Sequence, residues 1–122
     1  DNFGHEYNCS KDYAFSVIGG DTKDPDLLIA KVKEEINRMK ANGMNPVSFE
    51  RSKKKKIGGF LRMLNSPESI ANEFTKYQFK NTNLFDILPV YESITLEEAN
   101  QRLKEHFNWD RLAVSIVRGE KP

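Results

Sequence analysis

A chain of 122 residues is long enough for one hydrophobic core and short for two, so we predict a single domain over residues 1–122. Its 19 Lys and Arg residues nearly balance 18 Asp and Glu residues, and a net charge of +1 gives no overall attraction to nucleic acid or membrane. The single cysteine, Cys9, excludes an internal disulfide and fits a reducing, cytoplasmic compartment. No apolar run approaches the ~20 residues of a membrane-spanning helix, so no membrane partner is expected.

Two short segments near the start alternate between large apolar residues and small or polar ones, which is the period of a β-strand. The first runs from Phe3 to Cys9 and the second from Tyr13 to Ile18. The polar link between them, residues 10–12, is short enough to make an antiparallel hairpin. Because the chain starts with Asp1 rather than methionine and enters a strand at once, we expect it to be part of a longer polypeptide.

Three helix starts follow, each marked by a proline near the first helical position, with Asp24 and Ser66 as the predicted N-caps of two of them. They are the pairs Asp24-Pro25, Asn45-Pro46 and Ser66-Pro67. The first helix is predicted to run to about Asn42 and to stop at Gly43. Its buried stripe is predicted to contain Leu28, Val32, Ile36 and Met39.

The second half of the chain contains one ambiguous segment and two clearer ones. Residues 84–91 form an apolar run interrupted by Pro89, which fits a short helix or an irregular packed segment, and we favour the helix. Thr95 and Glu98 make a capping box that starts the last helix. Residues 111–117 alternate again and predict a final strand. The order ββααα(α)αβ predicts an α+β fold with an antiparallel or mixed sheet and helices packed on one face.

The central helix, predicted to start at Asn45-Pro46, is rich in lysine and has two adjacent glycines in its interior. Lys53 to Lys56 lie beside Arg51 around an apolar stripe. Each of Gly58 and Gly59 costs ~1 kcal/mol relative to alanine. We therefore predict that one of the two lies close to a neighbouring backbone, where a methyl group would not fit.

The lysine run also raises the possibility of nucleic-acid binding, since adjacent lysines can neutralise phosphates. Against it, one such run in a nearly neutral domain is more often a solvated face. No aromatic platform for stacking bases accompanies the run. We therefore predict no nucleic-acid partner.

Few side chains in this sequence could carry chemistry. His5, His106 and Cys9 have no second ligand at a zinc-binding spacing. The glycine pair at 19–20 lacks the spacing of a phosphate-binding loop, and the adjacent acidic pairs diverge around their helices. We predict no catalytic, cofactor-binding or metal-binding residue in this chain.

Three segments of the sequence resemble the C-terminal end of a bacterial peptidase of the pitrilysin/insulinase family. They read AFSVIGGDTKDPDLL, NPVSFERSKKKKIGGFLRMLNSPESIANEF and NLFDILPVYESITLEEANQRL. These peptidases have an inverted zinc motif and are related to mitochondrial processing peptidase. The resemblance implies one module of the LuxS/mitochondrial-processing-peptidase-like metallohydrolase fold. It covers nearly the whole chain.

The resemblance also implies what this chain lacks. In the family the zinc motif His-x-x-Glu-His belongs to an N-terminal module, and the motif does not occur here. The expected function is thus a non-catalytic C-terminal domain of a zinc metalloendopeptidase, inactive alone, which forms part of the substrate-chamber wall. Its expected partners are the catalytic N-terminal half of the same chain, a peptide substrate in the full-length protein and, as a further option, a second copy or a paralogue in a homo- or heterodimer. A structural domain of a catalytically inactive paralogue is the alternative.

Overall fold

The structure, a computed structural model, describes residues 2–119. The elements, in chain order, are strands β1 (Phe3–Cys9) and β2 (Ala14–Gly20), then helices α1 (Pro25–Asn42), α2 (Pro46–Met63), α3 (Pro67–Gln78), α4 (Ile87–Ser93) and α5 (Leu96–His106). Short 3-10 turns precede α4 (Leu84–Asp86) and follow α5 (Trp109–Arg111). The α+β class predicted from the sequence is confirmed.

The two strands form the antiparallel hairpin that the sequence predicts, with Phe3 opposite Gly20 and Cys9 opposite Ala14. Residues directly opposite each other share a face of the sheet, so the register sorts the side chains. The inner face, which includes Tyr7 and Ser16, lies towards the helices, because Ser16 Oγ is 2.8 Å from Nε2 of His106 in α5. The outer face carries the intervening residues of both strands.

The three proline-marked helices begin where the sequence predicts, and each is capped by the side chain that precedes its proline. The capping oxygens accept hydrogen bonds from backbone N–H groups three residues on: Asp24 from Leu27 at 3.0 Å, Asn45 from Ser48 at 3.0 Å and Ser66 from Ser69 at 3.3 Å. α1 ends at Asn42 and is followed by Gly43, whose φ of 79° lies in the region that favours glycine. The predicted boundaries of α1 are confirmed.

The ambiguous segment around Pro89 is helical, as favoured. A 3-10 turn leads into α4, and the side chain of Asn83 caps that turn by accepting a hydrogen bond from Phe85 N at 3.0 Å. Pro89 is the third residue of α4, within the first turn, where a missing N–H removes no helical hydrogen bond. α4 packs on α2, with the rings of Phe60 and Tyr91 edge to face at 6.2 Å.

The capping box at the start of α5 is confirmed. The carboxylate of Glu98 accepts hydrogen bonds from the Thr95 N–H at 2.8 Å and the Thr95 hydroxyl at 3.0 Å, and Glu98 N donates to that hydroxyl at 3.2 Å. The hydrogen bond from the Thr95 backbone is the main cause that lowers the pKa of Glu98 below its ordinary value of 4.5.

This lowered pKa predicts a pH dependence. Because the folded-state pKa of Glu98 lies below its unfolded value, its contribution is fully present above pH 4.5 and is lost as the pH falls through the folded pKa. Glu98→Gln keeps an oxygen for the capping box but does not titrate. We expect its free energy of unfolding to depend less on pH in the acid range, as measured by urea denaturation across a pH series. Equal pH profiles for the two proteins would contradict this.

The predicted close approach at the central glycines is wrong. A Cβ built on Gly58 or Gly59 meets no atom within 4 Å apart from the local helix backbone. The neighbouring elements lie farther from α2 than the sequence argument assumed, so no packing contact offsets the cost of the glycines. They are tolerated in α2 without a steric reason.

Open space around both glycines reverses the expected effect of alanine. Gly58→Ala and Gly59→Ala should each raise the free energy of unfolding by ~0.4–1 kcal/mol, because alanine restricts the unfolded chain and favours helix. Gly43→Ala is the matched control and should destabilise, since Gly43 has a positive φ and its Cβ would lie 3.0 Å from Asn100 Nδ2. Chemical denaturation of the three variants tests this, and a loss of stability in either α2 variant would contradict it.

The predicted final strand does not form. Residues 112–119 have no regular secondary structure, and the main chain of 113–119 makes no backbone hydrogen bond with another described residue. The segment runs along α1 in the opposite direction: Trp109 Nε1 donates to Asn37 Oδ1 at 2.9 Å, and Arg118 Nη2 is 4.0 Å from the Asp26 carboxylate in the first turn. A strand needs a hydrogen-bonded neighbour, and residues 2–119 supply none here.

Candidate functional site

The chain buries little of its surface. Its accessible area is 10176 Å², about one and a half times the ~6,700 Å² expected of a folded monomer of 14.1 kDa. Among the described residues, only Ile36 and Leu84 are buried, with 8% and 0% of their surface exposed. The chain thus leaves exposed much apolar surface that a self-contained domain of its size would bury.

Part of this exposed apolar surface is the outer face of the hairpin. Tyr13, Phe15 and Val17 lie along it with between 47% and 60% of their surface exposed. The rings of Tyr13 and Phe15 stack with centroids 5.9 Å apart. The sheet has two strands within residues 2–119, so each strand has one edge without a strand neighbour.

The segment 112–119 exposes a second set of apolar side chains. Leu112, Val114 and Ile116 alternate along it, and each has between 40% and 52% of its surface exposed. Val117, on the opposite side, is 95% exposed. The segment therefore has the side-chain pattern of a strand without the hydrogen bonds of one.

Between the inner face of the hairpin and the helices α2 and α3 lies a cleft of about 840 Å³, which we call the basic cleft. β1 contributes His5 to its wall. The half-buried side chains of Phe60, Met63, Tyr77 and Tyr91 also line it. Lys55 and Lys56 of α2 and Lys76 of α3 complete the lining together with Ser52, Gly59, Ser69, Asn72, Glu73 and Leu84.

The charges of the basic cleft do not cancel. Lys76 Nζ lies 2.5 Å from Glu73 Oε1, and this hydrogen bond raises the pKa of the Lys76 ammonium. Lys55 and Lys56 form no ion pair with any residue in the described range 2–119. The lining therefore keeps two uncompensated cations. Burial also raises the pKa of the Tyr77 hydroxyl, so that group stays neutral and able to donate a hydrogen bond.

The lysine run divides into positions with different environments. Lys53 is half-buried, and its Nζ donates to the carbonyl oxygens of Glu92 and Ile94, both at 2.8 Å. These carbonyls lie at the end of α4, where backbone acceptors lack helical partners, so Lys53 acts as a cap. Lys54 is exposed and lies outside the lining of the basic cleft. The sequence carried no signal for the role of Lys53, because its acceptors come from residues about forty positions later.

Removing the Lys53 cap should cost stability. Lys53→Met keeps most of the aliphatic side chain but leaves two carbonyls without a donor, and we expect a loss of about 1.5–3 kcal/mol in the free energy of unfolding. Lys54→Met, one residue away and exposed, should stay within about 0.5 kcal/mol of the original. Urea denaturation of both variants measures the difference. Equal stabilities would show that the two hydrogen bonds contribute nothing.

The structure keeps the two histidines and the cysteine apart. His106 forms a hydrogen bond with Ser16 and an edge-to-face contact with the ring of Tyr7, whose centroid lies 5.7 Å away. These two contacts join the hairpin to α5. His5 lines the basic cleft, while Cys9 is exposed with its Sγ 3.8 Å from Lys80 Nζ. Among residues 2–119, no three His, Cys, Asp or Glu side chains lie where they could hold a metal ion together. No helix in this part of the chain is long and apolar enough to cross a membrane.

In both sequence and fold, this chain resembles bacterial zinc peptidases. No family model matches the chain. In sequence it is 40% identical over 117 residues to the uncharacterized zinc protease YmfH of Bacillus subtilis (strain 168), across 96% of this chain and 27% of that protein. In structure it matches a crystal structure described as an M16-like peptidase from Alicyclobacillus acidocaldarius, with a TM-score of 0.75 and 28% identity, over 85% of this chain and 25% of that one.

The resemblance stated from the sequence is therefore confirmed in both sequence and fold. This chain is similar to one segment of a zinc-peptidase-like protein and spans about a quarter of the length of each relative.

Proposed function

We propose that this chain is a non-catalytic, C-terminal domain of a zinc metallopeptidase, which forms part of the substrate-chamber wall and supports the catalytic N-terminal half. One observation carries the proposal: in a segment similar to peptidases in sequence and fold, residues 2–119 leave the outer face and both edges of the sheet uncovered. We refer to the longer polypeptide as the parent chain. The proposal includes a cytoplasmic location for the parent chain, as expected from the single cysteine.

The arrangement of the hairpin suggests how the domain is oriented. The helices reach the inner face through His106, which contacts Ser16 and Tyr7, and Tyr7 still keeps 61% of its surface exposed. In this proposal the outer face, with its apolar strip of Tyr13, Phe15 and Val17, lines the chamber. This apolar strip lies along β2, and a strip beside the open edge of β2 suits an extended peptide, which can be held by main-chain hydrogen bonds and side-chain contacts.

In this proposal the segment 112–119 becomes a strand of a larger sheet. It alternates like a strand and lies along α1, and its main chain lacks backbone partners within the described residues. In the parent chain, a strand from the remaining sequence supplies the missing neighbour, and the segment joins a larger sheet with the hairpin. The sequence-based prediction of a strand then applies to the assembled protein rather than to this chain alone.

The residues of this chain do not fit a zinc site, so the proposal derives no chemical step from them. His106 is held by Ser16, His5 lies across the inner face in the basic cleft, and no suitable third ligand accompanies either within residues 2–119. Zinc and the peptidase reaction belong to the N-terminal half of the parent chain in this account. The contribution of this chain is shape and support.

Zinc content and peptide cleavage test the proposal directly. We expect the purified parent chain to hold stoichiometric zinc and to cleave unstructured peptides, and residues 1–122 alone to do neither. Stoichiometric zinc held by the side chains of residues 1–122, or cleavage by this piece, would overturn it. A parent chain without zinc and without activity would instead identify the domain as a structural partner in a catalytically inactive paralogue.

A further inference from the structure

We propose that the basic cleft is the docking site for an extended, acidic segment from the rest of the parent chain. Apolar side chains of that segment would rest on Phe60 and Met63, and its carboxylates would meet Lys55 and Lys56. The proposal rests on the proposed function only in requiring a longer parent polypeptide. It assigns a role to the part of the lysine run that does not cap α4.

The shape of the cleft favours an extended occupant. Its volume of about 840 Å³ is large enough for several side chains, and it is bounded by a strand on one side and two helices on the other. β1 lines it through His5 and has no strand neighbour on the edge away from β2 within the described residues. An extended segment entering beside β1 could satisfy the N–H and C=O groups of that free edge.

The charge of the cleft favours an acidic occupant. Glu73 offsets Lys76, while Lys55 and Lys56 are left uncompensated among the described residues. Any segment that covers these ammonium groups removes water from them, which is unfavourable unless the segment brings opposite charge. Carboxylates at the rim and apolar side chains over the floor therefore complement the two parts of the lining.

A protein segment fits the cleft better than a nucleic acid does. Lys53, the first lysine of the run, already donates two hydrogen bonds to carbonyl oxygens and is therefore less available to a phosphate. The rings of Phe60 and Tyr91 pack edge to face against each other at 6.2 Å, so they are not arranged as parallel surfaces between which successive bases could stack. Since the relatives are about three and a half times as long as this chain, a parent chain of similar length has ample sequence to supply the segment.

Lysine labelling of the full-length parent chain tests the proposal, with Lys54 as an internal control. Lys54 lies on the same helix and outside the cleft. With an amine-acetylating reagent, we expect Lys55 and Lys56 to react about tenfold more slowly than Lys54, a factor that corresponds to ~1.4 kcal/mol. Equal labelling rates at the three lysines would overturn the proposal.

Zero-length cross-linking identifies the occupant. A carbodiimide joins an ammonium group to a carboxylate only when the two are in contact. We expect Lys55 or Lys56 to link to an Asp or Glu outside residues 1–122 within one monomer of the parent chain. Links found only between two copies would overturn the proposal in favour of a dimer contact. Binding of single-stranded RNA that is lost in the Lys55→Gln, Lys56→Gln variant would overturn it in favour of nucleic acid.

Charge reversal supplies an independent readout. In the parent chain the docked segment should also slow the labelling of Lys76, another lysine of the cleft. Lys55→Glu combined with Lys56→Glu should repel the segment and speed the labelling of Lys76, whereas Lys54→Glu should leave it unchanged. Unchanged labelling of Lys76 in the double variant would count against the proposal. Neither measurement depends on zinc or activity, so the cleft proposal can fail while the peptidase proposal stands, and the reverse.

Discussion

Leu84→Ala is expected to lower the free energy of unfolding of this chain by about 2–5 kcal/mol, the range for truncating a buried leucine. Leu84 has no exposed surface and opens the 3-10 turn that packs on α3 and leads into α4. Because few other side chains are buried, little packing remains to absorb the loss. Urea denaturation monitored by circular dichroism measures the change.

Two further variants make the Leu84 result interpretable. Leu61→Ala removes the same side chain from α2, where 47% of it is exposed, and should cost less than about 1 kcal/mol. If Leu84→Ala fails to fold at all, Leu84→Met keeps the volume and should cost less than about 1.5 kcal/mol. Equal losses for Leu84→Ala and Leu61→Ala would contradict the view that the core centres on Leu84.

Ile116→Asp is expected to have a large effect in the parent chain and a small one in residues 1–122 alone. In this chain Ile116 is 40% exposed, so the carboxylate would stay hydrated. In the parent chain the segment 112–119 is a covered strand in our account, and a buried, unpaired charge there should cost about 3 kcal/mol or more. Thermal and urea unfolding of both proteins give the comparison.

Ser115→Asp is the matched control for the Ile116 variant. Ser115 neighbours Ile116 but lies on the opposite side of the segment, so its substitution should cost less than that of Ile116 in the parent chain. Similar small losses for Ile116→Asp in both proteins would show that the apolar side of the segment stays uncovered in the parent.

Local sequence signals predicted most of the helices. Asp24-Pro25, Asn45-Pro46 and Ser66-Pro67 each combine a capping oxygen with a proline whose fixed geometry suits the first turn, so the boundaries depend on neighbouring residues only. The hairpin followed for the same reason, since its link spans a few residues. Such features do not need the rest of the protein.

Features that depend on distant residues were predicted poorly. The segment 112–119 has a strand pattern, but strand formation requires a neighbour that lies outside the described residues in our account. Gly58 and Gly59 do not make the close packing with a neighbouring backbone that their cost in a helix predicts. The role of Lys53 and the basic cleft both arise from contacts between elements far apart in sequence, which periodicity cannot reveal.

Amide hydrogen exchange tests most directly the central claim, that this chain completes a sheet of a longer peptidase-like protein. Exchange is compared at residues 113–118 between the parent chain and residues 1–122 alone, with amides in the middle of α1 as the internal reference. We predict protection in the parent on the order of 100-fold or more above that in the isolated chain, because a paired strand opens rarely. Equally fast exchange of residues 113–118 in both proteins would contradict the account.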